Sequence, residues 1–446
     1  MDSKYLEFLY SLGLFNIKLG LSTIKEMLMR MGGPHTHPRI IHIAGTNGKG
    51  STLVTLEQLL FDSGYSTGST ISPHLERFNE RFRINGKEVS DHDLSEAFER
   101  VCLQCGIDLD LKSRTSRDGV LAPTFFEFSI AIAFELFRKF KVDFILLETG
   151  LGGRLDATNI IKHPIATVIT RIAVDHQAYL GDTLEEIALE KLGILKQGSP
   201  VFVSRQTDQV NRIIRSYCDD HEIKRFDYPN DFNFKTVAGG ATEYWLSGRI
   251  SVSQREAPST VIKIDSQALV GEHQKENTAT SLAVYHSIVP HSHQLLEEEI
   301  AGSLNGVRWS GRLQYLGPDE KILLDGAHNE SSMKCLMNFL RETFSTHRII
   351  VALGWKNDKS LSNSLHPAGL EQVCFLPVKM QSEKGQAIEM IRSELEERQL
   401  ALLPSKNVKQ LITAILDNSL PEHDLLVVTG SLYLVGEFLN EWHHIK

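Results

Sequence analysis

One stretch of this chain constrains its fold more than any other: RIIHIAGTNGKGSTLVTLEQLLFD, residues 39–62. The β-branched apolar run Ile40–Ile43 breaks at Gly45 into GTNGKGS. A helical pattern follows, with Leu53, Leu56, Leu59 and Leu60 on one face. Strand, Gly-rich turn and helix form the context of a phosphate loop. The glycines allow backbone N–H groups to turn inward on an anion. The helix N-terminus adds partial positive charge. Lys49 has the reach for terminal phosphates, and the Ser51 hydroxyl is a candidate Mg²⁺ ligand. The match to G-x-x-x-x-G-K-[ST] is imperfect, since position 43 is Ile and Gly50 separates Lys49 from Ser51.

The 446 residues suffice for two or more domains, at roughly 100–200 residues each. A net charge of −9 gives no global attraction to nucleic acid or anionic lipid. Five scattered cysteines do not read as a disulfide framework and suit a reducing compartment. Cys102 and Cys105 have the C-x-x-C spacing but fall in a helical pattern, where they read as small apolar residues. The N-terminus lacks the features of a secretory signal, and no apolar run reaches the roughly 18 residues of a membrane span. A soluble, cytoplasmic protein is expected.

Strands are expected at 39–44, 142–148, 165–172 and 200–204, and helices at 52–62, 91–105, 125–139 and 183–196. Continuous apolar strands alternating with helices predict an α/β fold with a mainly parallel sheet covered on both faces. Residues 228–264 switch to short alternating runs (FNFKTV, EYWLS, RISVS, TVIKID), the pattern of a small antiparallel appendage. A helix is expected at about 272–288. A second alternation begins near 300, with strands near 311–316, 321–325, 348–353, 372–377 and 424–429 and helices near 330–343, 383–397, 407–417 and 431–442. The expected division is therefore 1–296 and 297–446.

Ligands of parallel sheets collect at the carboxyl ends of the strands. Glu148 ends VDFILLE and precedes TGLGGRLDATN; a carboxylate there, beside a phosphate loop, suits Mg²⁺. His176 follows IATVITRI and is a candidate for metal or phosphate. His35 and His37 lie in a Gly/Pro-rich connection and read as plain loop. Lys191 shares the apolar face of DTLEEIALEKLGILK with Leu184, Ile187, Ala188 and Leu195. An inward ammonium is costly unless it snorkels or is paired; reaction of the neutral amine with CO₂ to give a carbamate is another resolution. Ser72 is a further candidate metal ligand. Arg312, Asp325 and His328 lie in WSGR and LLDGAHN, again around a strand end. In PTFFEF, Phe125, Phe128 and Ile132 fall on core spacing, although the rings have the chemistry to stack on a flat ligand.

Taken together, HIAGTNGKGST, SPHLERFNERFRING, PTFFEF, ETGLGGRLDATN, DHQAYLGDTLEEIALEKLGILK, GEHQKENTA, WSGRLQ and LLDGAHN resemble the successive signatures of the folylpolyglutamate synthase/dihydrofolate synthase family, within the Mur ligase superfamily. The resemblance spans nearly the whole chain and covers the phosphate loop's departure, since GTNGKGS/T is that superfamily's form. It implies a P-loop ATPase domain and a C-terminal Rossmann-like domain with chemistry in the cleft. It implies ATP contacts from Asn47, Gly48, Lys49, Gly50, Asn277, Arg312 and Asp325. Mg²⁺, as two ions, would take Ser51, Ser72, Glu148 and His176. Lys191 would be carbamylated, and the pterin would lie against Thr124, Phe125, Phe126, Glu127, Leu155, Asp156 and Ala157, helped by the segment near Ser11–Gly13. The implied reaction joins L-glutamate to dihydropteroate, to (poly)glutamylated folates, or to both. It proceeds through an acyl phosphate, with Lys49 and Lys191 catalytic and His328 orienting glutamate. Only small-molecule partners and a monomer are expected.

Polyglutamylation alone, or another Mur-type carboxylate–amine ligase, is the near alternative. Cell-wall Mur ligases carry an extra domain before the phosphate loop, and the 44 residues ahead of Gly45 are too few for one. A phosphate-loop kinase would leave the second half and the Lys191 helix unexplained. A non-catalytic ATP switch predicts no amide product. No N-K-x-D segment points to guanine.

Overall fold

The structure is a computed structural model; it describes residues 3–13, 18, 20–108, 121–250, 258–317, 319–357, 361, 365, 373–382 and 385–445. The chain divides into two compact units. The first comprises Met1–Ser72, Phe78–Ala268 and Gln274–Val307; the second comprises Pro73–Arg77, Leu269–His273 and Arg308–Lys446.

The first unit is built on an eight-stranded sheet. Its parallel centre runs Thr67–Thr70, Phe144–Glu148, Ile40–Ala44, Ala166–Ile169, Val201–Val203, Arg225–Asp227. Phe82–Ile84 and Lys87–Glu88 extend the first edge antiparallel. The central strands are buried on both faces, as their unbroken apolar runs require. One face packs against helices Ser3–Ser11, Ser22–Arg30, Asp91–Cys105 and Phe125–Phe140, with Phe8, Met27, Phe98, Phe128 and Phe134 in a continuous core. Over the Val201–Val203 end, helices Leu184–Leu192 and Asp208–Asp220 close a second core around Ile169, Ile187 and Ile214. Phe125, Phe128 and Ile132 are core residues, and Cys102 and Cys105 are buried on their helix. His35 lies in the short 3₁₀ turn Pro34–Thr36, and His37 Nε2 is 3.0 Å from the Val142 carbonyl.

The antiparallel appendage is a three-stranded sheet, Phe232–Thr236, Thr242–Leu246 and Thr260–Ile264. The expected strand RISVS is different: Ile250 ends a 3₁₀ turn, Gly248–Ile250, and the residues after it lie outside those described. The helix after Gly48 begins at Lys49, earlier than the expected residue 52, which brings Lys49 and Ser51 into its first turn. The helix Leu184–Leu192 stops short of 196, because the chain turns at Gly193. Four elements of this sheet carry no strand signature in the sequence: Thr67–Thr70, Phe82–Ile84, Lys87–Glu88 and Arg225–Asp227.

The second unit holds a seven-stranded sheet. Gln314–Leu316 pairs antiparallel with Ile322–Leu324; Leu425–Thr429, Ile349–Leu353, Val373–Lys379 and Ala401–Leu402 continue in parallel order, and Lys406–Asn407 also pairs with Val373–Lys379. Helices Glu330–Thr343 and Ile388–Glu396 cover one face, Val408–Leu416 and Leu432–Ile445 the other. Helix Glu297–Gly306 belongs to the first unit, whereas the expected division at 296/297 falls before it. Its buried Ile300, Ser303 and Leu304 face inward there, so the contacts change hands only after Val307.

Candidate functional site

The phosphate loop leaves the strand Ile40–Ala44 between two partner strands. On one side Ile43 is in register with Glu148, the last residue of Phe144–Glu148. On the other, Ala44 is in register with Ile169, and His176 follows shortly after that strand. The loop is tied down by its own amides: Thr46 and Asn47 N–H both donate to the Arg171 carbonyl, and the Thr46 hydroxyl donates to Ala173 O at 3.0 Å. Gly48 has φ +90°, and a Cβ there would meet Asn277 Oδ1 at 2.4 Å. The position therefore demands glycine twice, for its conformation and for the closeness of Asn277. Asn277 is itself held by a 3.0 Å hydrogen bond to Gln274 Oε1.

Two lysines converge on one carbonyl. Lys49 Nζ donates to Gly45 O at 3.1 Å and to Thr46 O at 3.2 Å, and Lys191 Nζ donates to the same Gly45 O at 3.0 Å. Lys191 is buried on the inner face of its helix, as the sequence offsets require. The helix is set by a capping box, Thr183 with Glu186. Burial, then the Lys49 charge, push Lys191 down to about 7, with Asp175 and Asp156 pulling the other way. The neutral amine is therefore far more accessible at neutral pH than that of an ordinary lysine.

Glu148 is buried. Its Oε2 accepts the Ser72 N–H at 3.0 Å, and its Oε1 lies 3.9 Å from Lys49 Nζ. The Ser51 side chain is buried in the first helical turn. His176 adopts φ 55°, with its N–H on Asp175 Oδ1 at 2.8 Å. Ser51, Ser72, Glu148 and His176 carry mostly hard oxygen donors, the chemistry Mg²⁺ takes, although among the described residues no three carboxylate, histidine or cysteine side chains gather as a metal-binding group. Asp175, adjacent to His176 in AVDHQ, is a buried carboxylate the sequence reading passed over.

Beyond Glu148 the GLGG segment folds around Asp156. One carboxylate oxygen accepts the Gly150 and Leu151 amides at 2.9 and 2.8 Å; the other accepts the Thr158 amide and hydroxyl. Burial raises the Asp156 pKa, and these hydrogen bonds oppose the rise. Thr124 caps the helix Phe125–Phe140 through a reciprocal box with Glu127. Phe125 is core, whereas the half-buried Phe126 ring packs against Gly150. Leu155 is half-buried and Ala157 buried beside it. Ser11–Gly13 ends the first helix, with the Ser11 hydroxyl on Phe8 O.

In the second unit, Asp325 follows the strand Ile322–Leu324. It accepts the Leu313 amide at 3.0 Å and the Ala327 amide at 2.9 Å. Burial raises its pKa, and the Arg312 charge is the largest opposing influence. His328 Nδ1–H donates to Gly326 O at 2.7 Å, which leaves Nε2 as the basic nitrogen. His273 was not singled out in the sequence. Burial, then Arg312, push it down to about 4, so it stays neutral beside that cation.

A family model described as dihydrofolate synthetase, C-terminal domain, matches residues 313–441. The dihydrofolate synthase/folylpolyglutamate synthase of Bacillus subtilis (strain 168) is 30% identical over 436 residues, covering 95% of each chain. Among solved structures, E. coli FolC in complex with DHPP and ADP superposes with a TM-score of 0.83 at 25% identity, over 99% of this chain and 98% of that one. The bifunctional folylpolyglutamate synthase/dihydrofolate synthase from Yersinia pestis, complexed with AMPPNP and Mn ion, gives 0.81 at 27% identity over the same shares.

Proposed function

This chain belongs to the dihydrofolate synthase/folylpolyglutamate synthase family, and we propose that it uses ATP to join L-glutamate to dihydropteroate and to (poly)glutamylated folates through an acyl phosphate. The observation that carries the reading is the convergence of Lys49 and the buried Lys191 on Gly45 O, with Glu148 3.9 Å from Lys49.

A carboxylate is a poor acyl donor because its leaving group would be oxide. In the first step an oxygen of the substrate carboxylate attacks the γ-phosphorus, and ADP leaves. The α-amino group of glutamate then attacks the carbonyl carbon; phosphate leaves with that oxygen, the ammonium proton is lost, and an amide remains. Lys49 sits on the phosphate loop, where it would neutralise the transferring group. The loop amides and Asn277 would hold the triphosphate, with Arg312 and Asp325 as the second unit's contribution to ATP. His328 would orient glutamate. The faces of Phe126, Leu155 and Ala157, with Thr124, Glu127 and Asp156, would take the pterin. The acyl phosphate hydrolyses readily, so water must be kept from it until the amine arrives.

Ser51, Ser72, Glu148 and His176 would hold Mg²⁺, read as two ions, which would offset phosphate charge when bound. The neutral fraction of Lys191 is the form that reacts with CO₂. A carbamate at its Nζ would replace two cations beside one carbonyl with an anion facing Lys49, which favours the modified residue. Small-molecule substrates and a monomeric cytoplasmic enzyme complete the reading; among the described residues no helix is long and apolar enough to cross a membrane.

The test is purified protein with ATP, Mg²⁺ and glutamate, given dihydropteroate or tetrahydrofolate in separate reactions. Phosphate release matched by a product one glutamyl heavier is expected with both. Product from tetrahydrofolate alone narrows the activity to polyglutamylation; product from neither rejects the proposal. Glu148→Gln is expected to abolish turnover while circular dichroism stays unchanged.

A further inference from the structure

The strand that opens into the phosphate loop carries one polar side chain inside an otherwise apolar run. His42 is fully buried and lies between Leu147 and Thr167 on the neighbouring strands. A ring with two polar nitrogens is costlier to bury there than an aliphatic side chain, so packing alone does not account for it. Its Nε2 lies 2.8 Å from Thr158 Oγ1. The Thr158 hydroxyl donates its proton to Asp156 Oδ1 at 2.5 Å. That oxygen therefore has only lone pairs for His42, and Nε2 is the protonated nitrogen. Nδ1 is buried with no hydrogen-bond partner, as an acceptor nitrogen tolerates better than a donor. The chain of donation runs one way: His42 Nε2–H to Thr158 Oγ1, Thr158 O–H to Asp156 Oδ1. Asp156 in turn receives the Gly150 and Leu151 amides.

We propose that His42 and Thr158 form a buried positioning relay that fixes Asp156, and through it the loop from Gly150 to Thr158, against the strand feeding the phosphate loop. The relay ties the wall that receives the acid substrate to the wall that receives the γ-phosphoryl group, so the carboxylate and the phosphorus are held in register. It deepens the function proposed above and rests on it. Burial keeps the imidazole neutral, with its pKa pushed down to about 3 and the Lys196 charge acting in the same sense. The direction of donation is therefore constant at any working pH.

Steady-state kinetics of the full-length enzyme test this, with the acid substrate and ATP varied separately. Thr158→Val keeps the volume and removes the hydroxyl; His42→Leu removes the donor. Each is expected to raise KM for the acid substrate tenfold or more, with KM for ATP within twofold and cooperative thermal unfolding retained. Thr158→Ser and His42→Gln restore the hydroxyl and an amide donor, and are expected within threefold of the parent. The double variant His42→Leu/Thr158→Val should be no worse than the poorer single, since both break one chain. A Thr158→Val enzyme equal to the parent, a parallel rise in both KM values, or multiplying single effects would overturn the relay. If His42→Leu fails to fold, the Thr158→Val and Thr158→Ser pair decides alone. A parent enzyme that converts neither acid sinks the functional reading and the relay together; an active parent with Thr158→Val unaffected sinks the relay only.

Discussion

Lys191 is the residue whose chemistry depends most on its surroundings. Its ordinary pKa is 10.5 and the fold lowers it to about 7. Between those values the unfolded chain keeps a proton that the folded chain has released. Folding stability therefore rises with pH across that window, and the full cost of the buried ammonium is felt below pH 7. Lys191→Met removes that cost. In carbonate-free buffer it is expected to raise the urea midpoint at pH 6, with the gain shrinking as pH climbs from 7 toward 10.5. Its ligase turnover should fall at least a hundredfold. In ¹³C-bicarbonate, a carbamate signal absent from the variant should grow as pH rises through 7 in the parent. The burial of Lys191 was legible because helical offsets require no tertiary knowledge. Glu148 was legible as a strand end; His176 was placed by the same reasoning, but its strand stops at Ile169 and the residue itself precedes the short helix Gln177–Leu180. His42 was not, since one polar letter in a β-branched run leaves the strand reading unchanged. His273 beside Arg312 depends on a contact between residues far apart in sequence, which spacing cannot reveal.

At the scale of elements, the strand Thr67–Thr70 shows how tertiary packing overrides local preference. TGST lacks the apolar alternation of a strand, yet it is buried throughout between Phe82–Ile84 and Phe144–Glu148. The reason lies on the neighbouring helix: Phe137 occupies the space a side chain at residue 68 would need, its Cδ1 2.4 Å from where a Cβ would stand. Ser69 is compensated by a 2.7 Å hydrogen bond to the buried Glu57, which also pairs with Arg83 at 2.9 Å. A propensity argument would favour a larger residue at 68. The contact predicts the reverse: Gly68→Ala should lose about 1–3 kcal/mol of stability through overpacking, measured by chemical denaturation. An unchanged or improved midpoint would show that Phe137 moves aside freely. Helices Asp91–Cys105 and Glu272–Ile288 match their expected limits; the first has clear end signals, Ser90 accepting the Asp93 amide and Gly106 closing the helix. Arg225–Asp227 is a three-residue edge, too short to carry a period.

At the scale of the whole molecule, each unit has its own sheet and its own apolar core. The alternation of strands and helices made this doubling legible. The division itself was harder, because helix Glu297–Gly306 follows a polar stretch that reads as a linker although its apolar face belongs to the first unit. Segments 73–77 and 269–273 belong with the second unit, although neither is continuous with it in the sequence. If both units serve one reaction, a change confined to the second should stop chemistry without unfolding the first. Arg312→Ala is expected to lower kcat for phosphate release and for amide formation together, by about 10²–10³-fold, with thermal unfolding little changed. Loss of one output without the other would separate Arg312 from phosphoryl transfer. The account as a whole turns on the acyl phosphate, and isotope transfer reads it directly. With both carboxylate oxygens of the acid substrate labelled with ¹⁸O, each phosphate released alongside an amide should carry one labelled oxygen. Amide formation with unlabelled phosphate would contradict the account.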